Sequence, residues 1–275
     1  MNRRQFFRAL FCFLVSATVF LACNHQVSQI ISVKTLSFGS VSEAASKQLI
    51  VSAAASLTDA MKAVQPLYQK QQSEIRLTYN FGSSGSLQQQ IEQGAPVDVF
   101  ISAAPRQMNE LEKKGLLFPG TRKNLLTNQV VLIVPKGSTK IKSFNDLIQN
   151  QVRRIAVGDP ESVPAGKYAQ EVMTFLKIFD RVQPKLIYAK NVRQVLNYVE
   201  TGNVDAGIVY RTDAKASPKV TAVVAAPKGS HSPIVYPIAV IKDSKNPDTA
   251  KGFVTFLSSS AATAIFEKLG FGLSS

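Results

Sequence analysis

The chain reads Ala53-Ala54-Ala55-Ser56-Leu57 at the end of one apolar, strand-like run and Phe81-Gly82-Ser83-Ser84-Gly85 at the end of the next. Three later turns share this layout: Val163-Pro164-Ala165-Gly166, Lys190-Asn191-Val192-Arg193 and Gly207-Ile208-Val209-Tyr210. The start of a helix presents unpaired backbone N–H groups and a partial positive charge, which attract anions. Any one turn is explained by helix capping. Five of them at the carboxyl ends of strands predict a cleft that holds an oxyanion without cationic side chains.

From Gln48 onward, strand-like and helix-like runs alternate. This alternation predicts an α/β protein with mainly parallel sheets that are covered on both faces. The strand candidates are residues 49–53, 75–79, 97–102, 130–135, 154–157, 185–188, 206–210, 220–224 and 236–240. The helix candidates are residues 57–71, 87–93, 105–114, 143–147, 165–179, 192–201, 249–257 and 261–269.

Polar residues at two of these turns are typical of helix N-caps. The sequence predicts that Ser56 caps a helix beginning at Leu57, with Asp59 in its first turn. It also predicts that Asn191 caps the helix that begins at Val192.

Two loop-like stretches, residues 125–128 and 226–230, are candidate crossovers between two lobes. They would divide the body into a discontinuous lobe 1, residues 48–126 and 232–275, and a lobe 2, residues 127–231. Two lobes joined by two chain crossings predict a hinged cleft.

Residues 1–23 are typical of an export signal. Arg3, Arg4 and Arg8 precede an apolar run, residues 9–22, that is shorter than the ~20 residues of a membrane span. The stretch Arg3-Arg4-Gln5-Phe6-Phe7 resembles a twin-arginine motif. We therefore expect the mature protein to function outside the cytoplasm, in the periplasm or at the outer face of the membrane.

Cys23 follows Phe20-Leu21-Ala22 in a stretch that resembles a lipobox, which predicts a lipid on this cysteine. The alternative is an ordinary leader that is cleaved near Ala44-Ala45-Ser46. Residues 24–47 are polar and serine-rich, and they are interpreted as a flexible tether.

Composition argues against several classes of protein. The 275 residues carry a formal net charge of +14, but lysine and arginine are spread along the chain, which argues against a nucleic-acid-binding protein. Both cysteines, Cys12 and Cys23, lie in or at the end of the leader, and the body has one histidine, His231. A zinc site or an internal disulfide is therefore not expected. The chain also lacks the motif G-x-x-x-x-G-K-[ST] and a G-x-G-x-x-G motif after a strand, so no nucleotide and no other cofactor is expected.

The stretch Phe81-Gly82-Ser83-Ser84-Gly85-Ser86 raises the alternative of a lipid-anchored serine hydrolase. Neither Ser83 nor Ser84 has glycine two residues before it and two residues after it, as the G-x-S-x-G motif requires. The body offers only His231 as a histidine base, so we expect no enzyme.

The same stretches resemble the periplasmic molybdate-binding proteins of ABC importers. The segments that carry the resemblance are residues 53–61, 81–87, 91–103, 156–166, 191–193, 207–210 and 236–240. The resemblance runs in order along the body, from about residue 48 to 272. It implies a two-lobed α/β fold of the type II periplasmic binding proteins, with the ligand in the cleft between the lobes. It also implies a monomer that delivers its ligand to an ABC transporter permease.

The resemblance further implies a ligand set. It places Ser56 and Ser84 of lobe 1 and Ala165, Val192 and Tyr210 of lobe 2 around molybdate, so that molybdenum is bound only as the oxyanion. Two neighbours, Ser83 and Ala103, are weaker candidates. One departure is Gly85, which replaces a hydroxyl residue common in the family.

The chemistry of these residues agrees with an oxyanion. The serines and the tyrosine offer hydroxyl donors, whereas Ala165 and Val192 offer only backbone N–H groups. Tungstate is an expected second ligand. Sulfate, phosphate and ferric ion remain rivals, although ferric sites usually need paired tyrosines and Tyr210 has no adjacent one.

Overall fold

A computed structural model describes residues 47–274. The predicted export signal, residues 1–23, and Cys23 with its predicted lipid lie outside the described residues. So does nearly all of the predicted tether; its last residue, Lys47, begins the first strand.

The described residues form strands and helices in alternation along most of the chain. The strands are β1 (Lys47–Ala54), β2 (Ile75–Gly82), β3 (Val99–Ile101), β4 (Lys123–Thr127), β5 (Val130–Pro135), β6 (Ile155–Gly158), β7 (Leu186–Ala189), β8 (Ala206–Tyr210), β9 (Val220–Ala225), β10 (Val235–Val240) and β11 (Gly272–Leu273). The α-helices are α1 (Thr58–Gln71), α2 (Ser84–Glu92), α3 (Pro105–Lys113), α4 (Pro164–Phe175), α5 (Phe179–Val182), α6 (Val192–Glu200), α7 (Arg211–Lys215), α8 (Pro247–Phe256) and α9 (Ser260–Leu269). Short 3₁₀ turns span Ala55–Leu57, Phe144–Ile148 and Gln183–Lys185.

The strands form two mixed sheets, so the prediction of mainly parallel sheets is wrong. The first sheet has the order β11-β4-β10-β3-β1-β2, and only β1 with β2 and β1 with β3 pair in parallel. The second has the order β7-β6-β8-β5-β9, in which β5 is antiparallel to both of its neighbours. An apolar run shows that a strand is buried but not which way it runs, so the sequence pattern could not reveal the reversed strands.

The register of the parallel strands aligns the turns that were predicted to bind an anion. In the first sheet Ala54 pairs with Gly82 and Ala53 with Ile101, so β1, β2 and β3 end at one edge. In the second sheet β6 pairs in parallel with both β7 and β8, so these strands also end at one edge. The loops after these six strands therefore form two compact groups, one on each sheet.

The chain passes between the sheets twice. The first passage is short, because β4 of the first sheet ends at Thr127 and β5 of the second begins at Val130. Residues 125–127, predicted to be part of a crossover, instead belong to β4. The return passage lies between β9 and β10. The proposed lobe boundaries at 126/127 and 231/232 stay predictions.

Helix α6 shows how the sequence packs a helix on a sheet. Its apolar residues Val192, Val195, Leu196 and Val199 recur at helical spacing, and all four are buried. The helix approaches β8 closely because Gly207 has no side chain: a Cβ added there would lie 2.7 Å from Val199 Cγ2. The position therefore requires glycine for packing.

Two helix predictions need correction. Ser56 does not cap a helix beginning at Leu57, because Ser56 lies inside a 3₁₀ turn and α1 begins at Thr58. The helix predicted over residues 165–179 ends at Phe175, since Lys177 has a left-handed φ of 56°. By contrast, the Asn191 side chain accepts the Gln194 N–H and caps α6 as predicted.

Within residues 47–274, no helix combines the length and apolar character needed to cross a membrane. The same residues contain no group of three or more His, Cys, Asp or Glu side chains placed to hold a metal ion.

We expect Gly207→Ala to lower the free energy of unfolding by ~1–3 kcal/mol, because the added methyl group overpacks the contact with Val199. The matched control is Gly252→Ala in α8, where an added Cβ meets nothing within 4 Å. The control should be neutral or stabilising by roughly 0.5–1 kcal/mol, because alanine is the better helix former. Urea unfolding of both variants measures the difference, and equal midpoints would contradict the packing argument.

Candidate functional site

The five predicted ligand residues surround one small cavity. Its lining consists of Ala54, Ala55, Ser56, Gly82, Ser83, Ser84, Ala103, Val163, Pro164, Ala165, Asn191, Val192 and Tyr210. The cavity has a volume of about 10 Å³, far below the ~300–1,000 Å³ of pockets for drug-sized ligands. Every described residue in this lining is uncharged. The site therefore suits a ligand of a few atoms that is bound by neutral groups.

Ser84 is a fully buried hydroxyl at the first residue of α2. Its Oγ accepts the Ala103 backbone N–H at 2.9 Å, which leaves the Ser84 hydrogen free to donate. Ala103 thus orients Ser84. The neighbouring Ser83 has a structural role, since it caps α2 by accepting the Ser86 N–H and donates its own hydrogen to Ser86 Oγ.

Ser56 lies in the 3₁₀ turn after β1 and is almost fully buried. Its Oγ lies 3.0 Å from the hydroxyl of Tyr236, which is fully buried in β10. Sequence reasoning gave Tyr236 no role, although it opens the last segment of the family resemblance. The one available signal was that a tyrosine in a buried strand needs a partner for its hydroxyl.

Tyr210 ends β8 and is 1% exposed. Its hydroxyl is buried, and no atom of the described residues meets it with hydrogen-bond geometry, although the Tyr236 hydroxyl lies nearby. Burial raises the pKa of Tyr210 well above its ordinary value, so the phenol stays neutral and keeps its hydrogen. A buried phenol without an acceptor is costly, and a ligand oxygen in the cavity would satisfy it.

The two remaining predicted residues offer backbone groups. Ala165 is the second residue of α4 and Val192 is the first residue of α6. First-turn N–H groups have no acceptor within their own helix. Both helices also direct their positive dipole ends toward the cavity.

The two lobes meet beside the cavity. The Gly85 N–H donates to the Ser162 carbonyl oxygen at 2.9 Å, and a Cβ added at Gly85 would lie 2.6 Å from that oxygen. Arg106 also donates from the first lobe to the Glu161 carbonyl oxygen. The absence of a side chain at Gly85 is therefore what allows this close approach.

The loop that carries Ser162 is held by Asp159. The carboxylate accepts the Glu161 N–H at 3.1 Å and the Ser162 hydroxyl at 3.2 Å. Asp159 therefore fixes the turn that contains Glu161 and Ser162.

Charged side chains lie close to the cavity, but none of them is part of its lining. Arg193 Nη2 lies 2.5 Å from Asp59 Oδ2 across the lobes, and Arg193 Nε lies 2.9 Å from Asp213 Oδ1. The Nε–H bond is not aligned with that oxygen, so the second contact is a charge pair rather than a hydrogen bond. Burial raises the pKa of Asp213 to about 6, although Arg193 opposes the rise.

A model of the family described as bacterial extracellular solute-binding proteins matches residues 49–272. The chain belongs to this family. Its members bind solutes and are not enzymes, which confirms that expectation and removes the hydrolase alternative. The family also places the protein outside the cytoplasm.

Similar proteins cover most of the chain. It is 48% identical over 224 residues to YvgL of Bacillus subtilis, named as a candidate ABC transporter substrate-binding lipoprotein, across 81% of this chain and 85% of that one. It is 40% identical over 235 residues to the molybdate-binding protein ModA of Haemophilus influenzae, across 83% and 91%. The structure of the Azotobacter vinelandii periplasmic molybdate-binding protein matches with a TM-score of 0.76 and 25% identity, across 82% of this chain and all of that one. These matches confirm the two-lobed type II binding-protein fold.

Asp213 predicts a specific pH dependence. Its pKa in the folded protein, about 6, exceeds the ordinary 3.8, so the folded state holds the proton more tightly. The contribution of Asp213 to stability is therefore greatest below about pH 4 and declines as the pH rises to about 6. Asp213→Asn removes this decline, so the variant should gain about 3 kcal/mol relative to the parent between pH 4 and pH 7.

Urea unfolding of the parent and of Asp213→Asn at several pH values measures this change. The control is Asp248→Asn, because the Asp248 side chain is 96% exposed. A constant difference between Asp213→Asn and the parent across this range would show that Asp213 does not titrate there.

Proposed function

We propose that the protein captures molybdate outside the cytoplasm and presents it to the permease of an ABC transporter. The observation that carries the proposal is the buried Tyr210 hydroxyl, which lines the cavity and has no partner among the described residues. A donor in this state requires a ligand that accepts hydrogen bonds.

The other donors strengthen this choice. The Ser84 oxygen already accepts from the Ala103 N–H, so the hydroxyl hydrogen of Ser84 is available to a ligand. The first turns of α4 and α6 supply backbone N–H groups. A fully deprotonated oxyanion accepts from all of them. A protonated anion would place a hydrogen against a donor and lose ~1–3 kcal/mol for each mismatch.

The proteins that this chain resembles support molybdate as that anion. The Haemophilus influenzae relative is named for molybdate binding, and so is the Azotobacter vinelandii protein with the same fold. Tungstate is proposed as a second ligand because it has the same shape and charge. Ser56, Ser84, Ala165, Val192 and Tyr210 are the proposed ligand residues.

We further propose a monomer that is attached to the membrane by a lipid on Cys23. The lipobox-like stretch and the Bacillus subtilis relative named as a candidate lipoprotein support the lipid. Residues 24–46 would then tether the binding domain near the permease.

Titration calorimetry with molybdate, tungstate and sulfate tests the proposal. We expect binding of the first two and weak or no binding of sulfate, because sulfate is smaller than molybdate and tungstate and fits the spacing of the donors less well. Tyr210→Phe should weaken molybdate binding by about 10- to 100-fold, because a hydrogen bond to a charged partner contributes ~1.5–3 kcal/mol. Ser56→Ala and Ser84→Ala should each weaken it in the same direction with the fold intact.

The control is Tyr68→Phe, which alters a tyrosine packed between Phe253 and Phe256 in lobe 1, away from the cavity. Parent-like binding by all three site variants would refute the site, and absence of molybdate binding by the parent would refute the function.

Gly85→Ala tests whether lobe contact is needed for capture. The new methyl group would collide with the Ser162 carbonyl, and overpacking of this kind costs ~1–3 kcal/mol. Molybdate affinity should fall about tenfold or more, and small-angle scattering should show less compaction on addition of molybdate. Gly252→Ala is the matched control. An unchanged affinity would show that the lobes do not close through this contact.

A further inference from the structure

Three polar side chains form a hydrogen-bonded row that leads into the cavity. Asn128, between β4 and β5, has its Nδ2 3.2 Å from the Tyr236 hydroxyl, and that hydroxyl lies 3.0 Å from Ser56 Oγ. Tyr236 is fully buried, and Ser56 lines the cavity. The direction of each hydrogen bond decides which hydrogen the row presents to a ligand.

The first bond has a fixed direction. Asn128 Oδ1 accepts the Gln129 backbone N–H at 2.9 Å, and an N–H group can only donate. The amide oxygen is thus turned toward Gln129, and the amide nitrogen is turned toward Tyr236. The same nitrogen donates to Thr212 Oγ1 at 3.0 Å, which agrees with this orientation. The Tyr236 oxygen is therefore an acceptor.

The second bond follows from burial. The phenolic hydrogen of Tyr236 has no access to water, and burial raises the pKa of Tyr236 above its ordinary value, so the hydrogen stays in place. Among the described residues, the Tyr236 hydroxyl forms hydrogen bonds with Asn128 Nδ2, which cannot accept, and with Ser56 Oγ. The Tyr210 hydroxyl lies near Tyr236 but does not meet it with hydrogen-bond geometry. If Ser56 donated instead, the Tyr236 hydrogen would be buried without an acceptor, which proteins rarely tolerate.

We infer that Tyr236 is a positioning residue that makes the Ser56 hydroxyl a committed donor to the bound anion. This inference rests on the proposed function. The Ser56 oxygen is occupied by the Tyr236 hydrogen, so the serine hydrogen is left for the ligand. A ligand oxygen that carries no hydrogen is favoured, and one that carries a hydrogen is disfavoured. Tyr236 thereby contributes to selectivity for fully deprotonated oxyanions without contacting them.

A double-mutant cycle by titration calorimetry with sodium molybdate tests the inference. Tyr236→Phe keeps the ring and removes the hydroxyl, so Ser56 is free to turn away from the ligand. We expect about a tenfold loss of affinity in the parent and less than about a twofold loss in the Ser56→Ala background. A role of Tyr236 in packing alone would give the same loss in both backgrounds and would overturn the inference, as would no loss in the parent.

The matched control is Tyr79→Phe, which removes a phenolic hydroxyl that donates to the Met61 carbonyl oxygen at 3.3 Å in the same lobe. It should leave affinity unchanged in both backgrounds; a loss equal to that of Tyr236→Phe would overturn the inference. If Tyr236→Phe does not fold, Asn128→Ala replaces it in the same cycle. This variant removes the donor to Tyr236, and its expected loss of about threefold should also vanish in the Ser56→Ala background. An equal loss in both backgrounds would overturn the inference.

The cycle separates the inference from the proposed function. If the parent binds molybdate and the two losses add, only the positioning role of Tyr236 is wrong. If the parent does not bind molybdate, the proposed function is wrong and the inference is overturned with it.

Discussion

Buried hydrogen-bond donors without acceptors are the constraint on which this structure depends. Tyr210 is 1% exposed, and its hydroxyl has no partner among the described residues, while Ser84 is held so that only its hydrogen is left over. Such groups lower the stability of the folded protein unless a ligand satisfies them. The cavity therefore contains hydrogen-bond donors that the protein itself does not satisfy. An anion with several acceptor oxygens would satisfy them.

The topology explains why the unsatisfied donors of the cavity come from both lobes. Parallel registers align the ends of β1, β2 and β3 in one sheet and of β6, β7 and β8 in the other, and each group of loops contributes part of the cavity lining. Neither group surrounds the cavity alone. Contacts such as Gly85 with Ser162 and Arg193 with Asp59 bring the groups together at the rim, so ligand capture and lobe contact depend on the same geometry.

Sequence reasoning predicted the local parts of this arrangement better than the non-local ones. The Asn191 cap depends on neighbouring residues, and it was predicted. All five proposed ligand residues line the cavity, but their grouping came from a family resemblance rather than from periodicity. Ser56 was mistaken for a cap because its partner, Tyr236, lies 180 residues away. Strand direction was also missed, since hydrophobic patterning does not encode it.

Long-range charge and local donors act at different stages of binding. The chain has a formal net charge of +14, of which Arg3, Arg4 and Arg8 in the predicted export signal contribute three, and the remaining excess of positive charge attracts anions in general and raises their encounter rate. That attraction cannot distinguish one small dianion from another. Arg193, which follows the lining residue Val192, is engaged by the carboxylates of Asp59 and Asp213, and the lining of the cavity contains only uncharged residues. Neutral donors therefore select fully deprotonated anions over protonated ones, because a donor favours an oxygen lone pair and disfavours an oxygen that carries a proton. Sulfate and molybdate satisfy this rule equally, so discrimination between them depends on the size of the cavity.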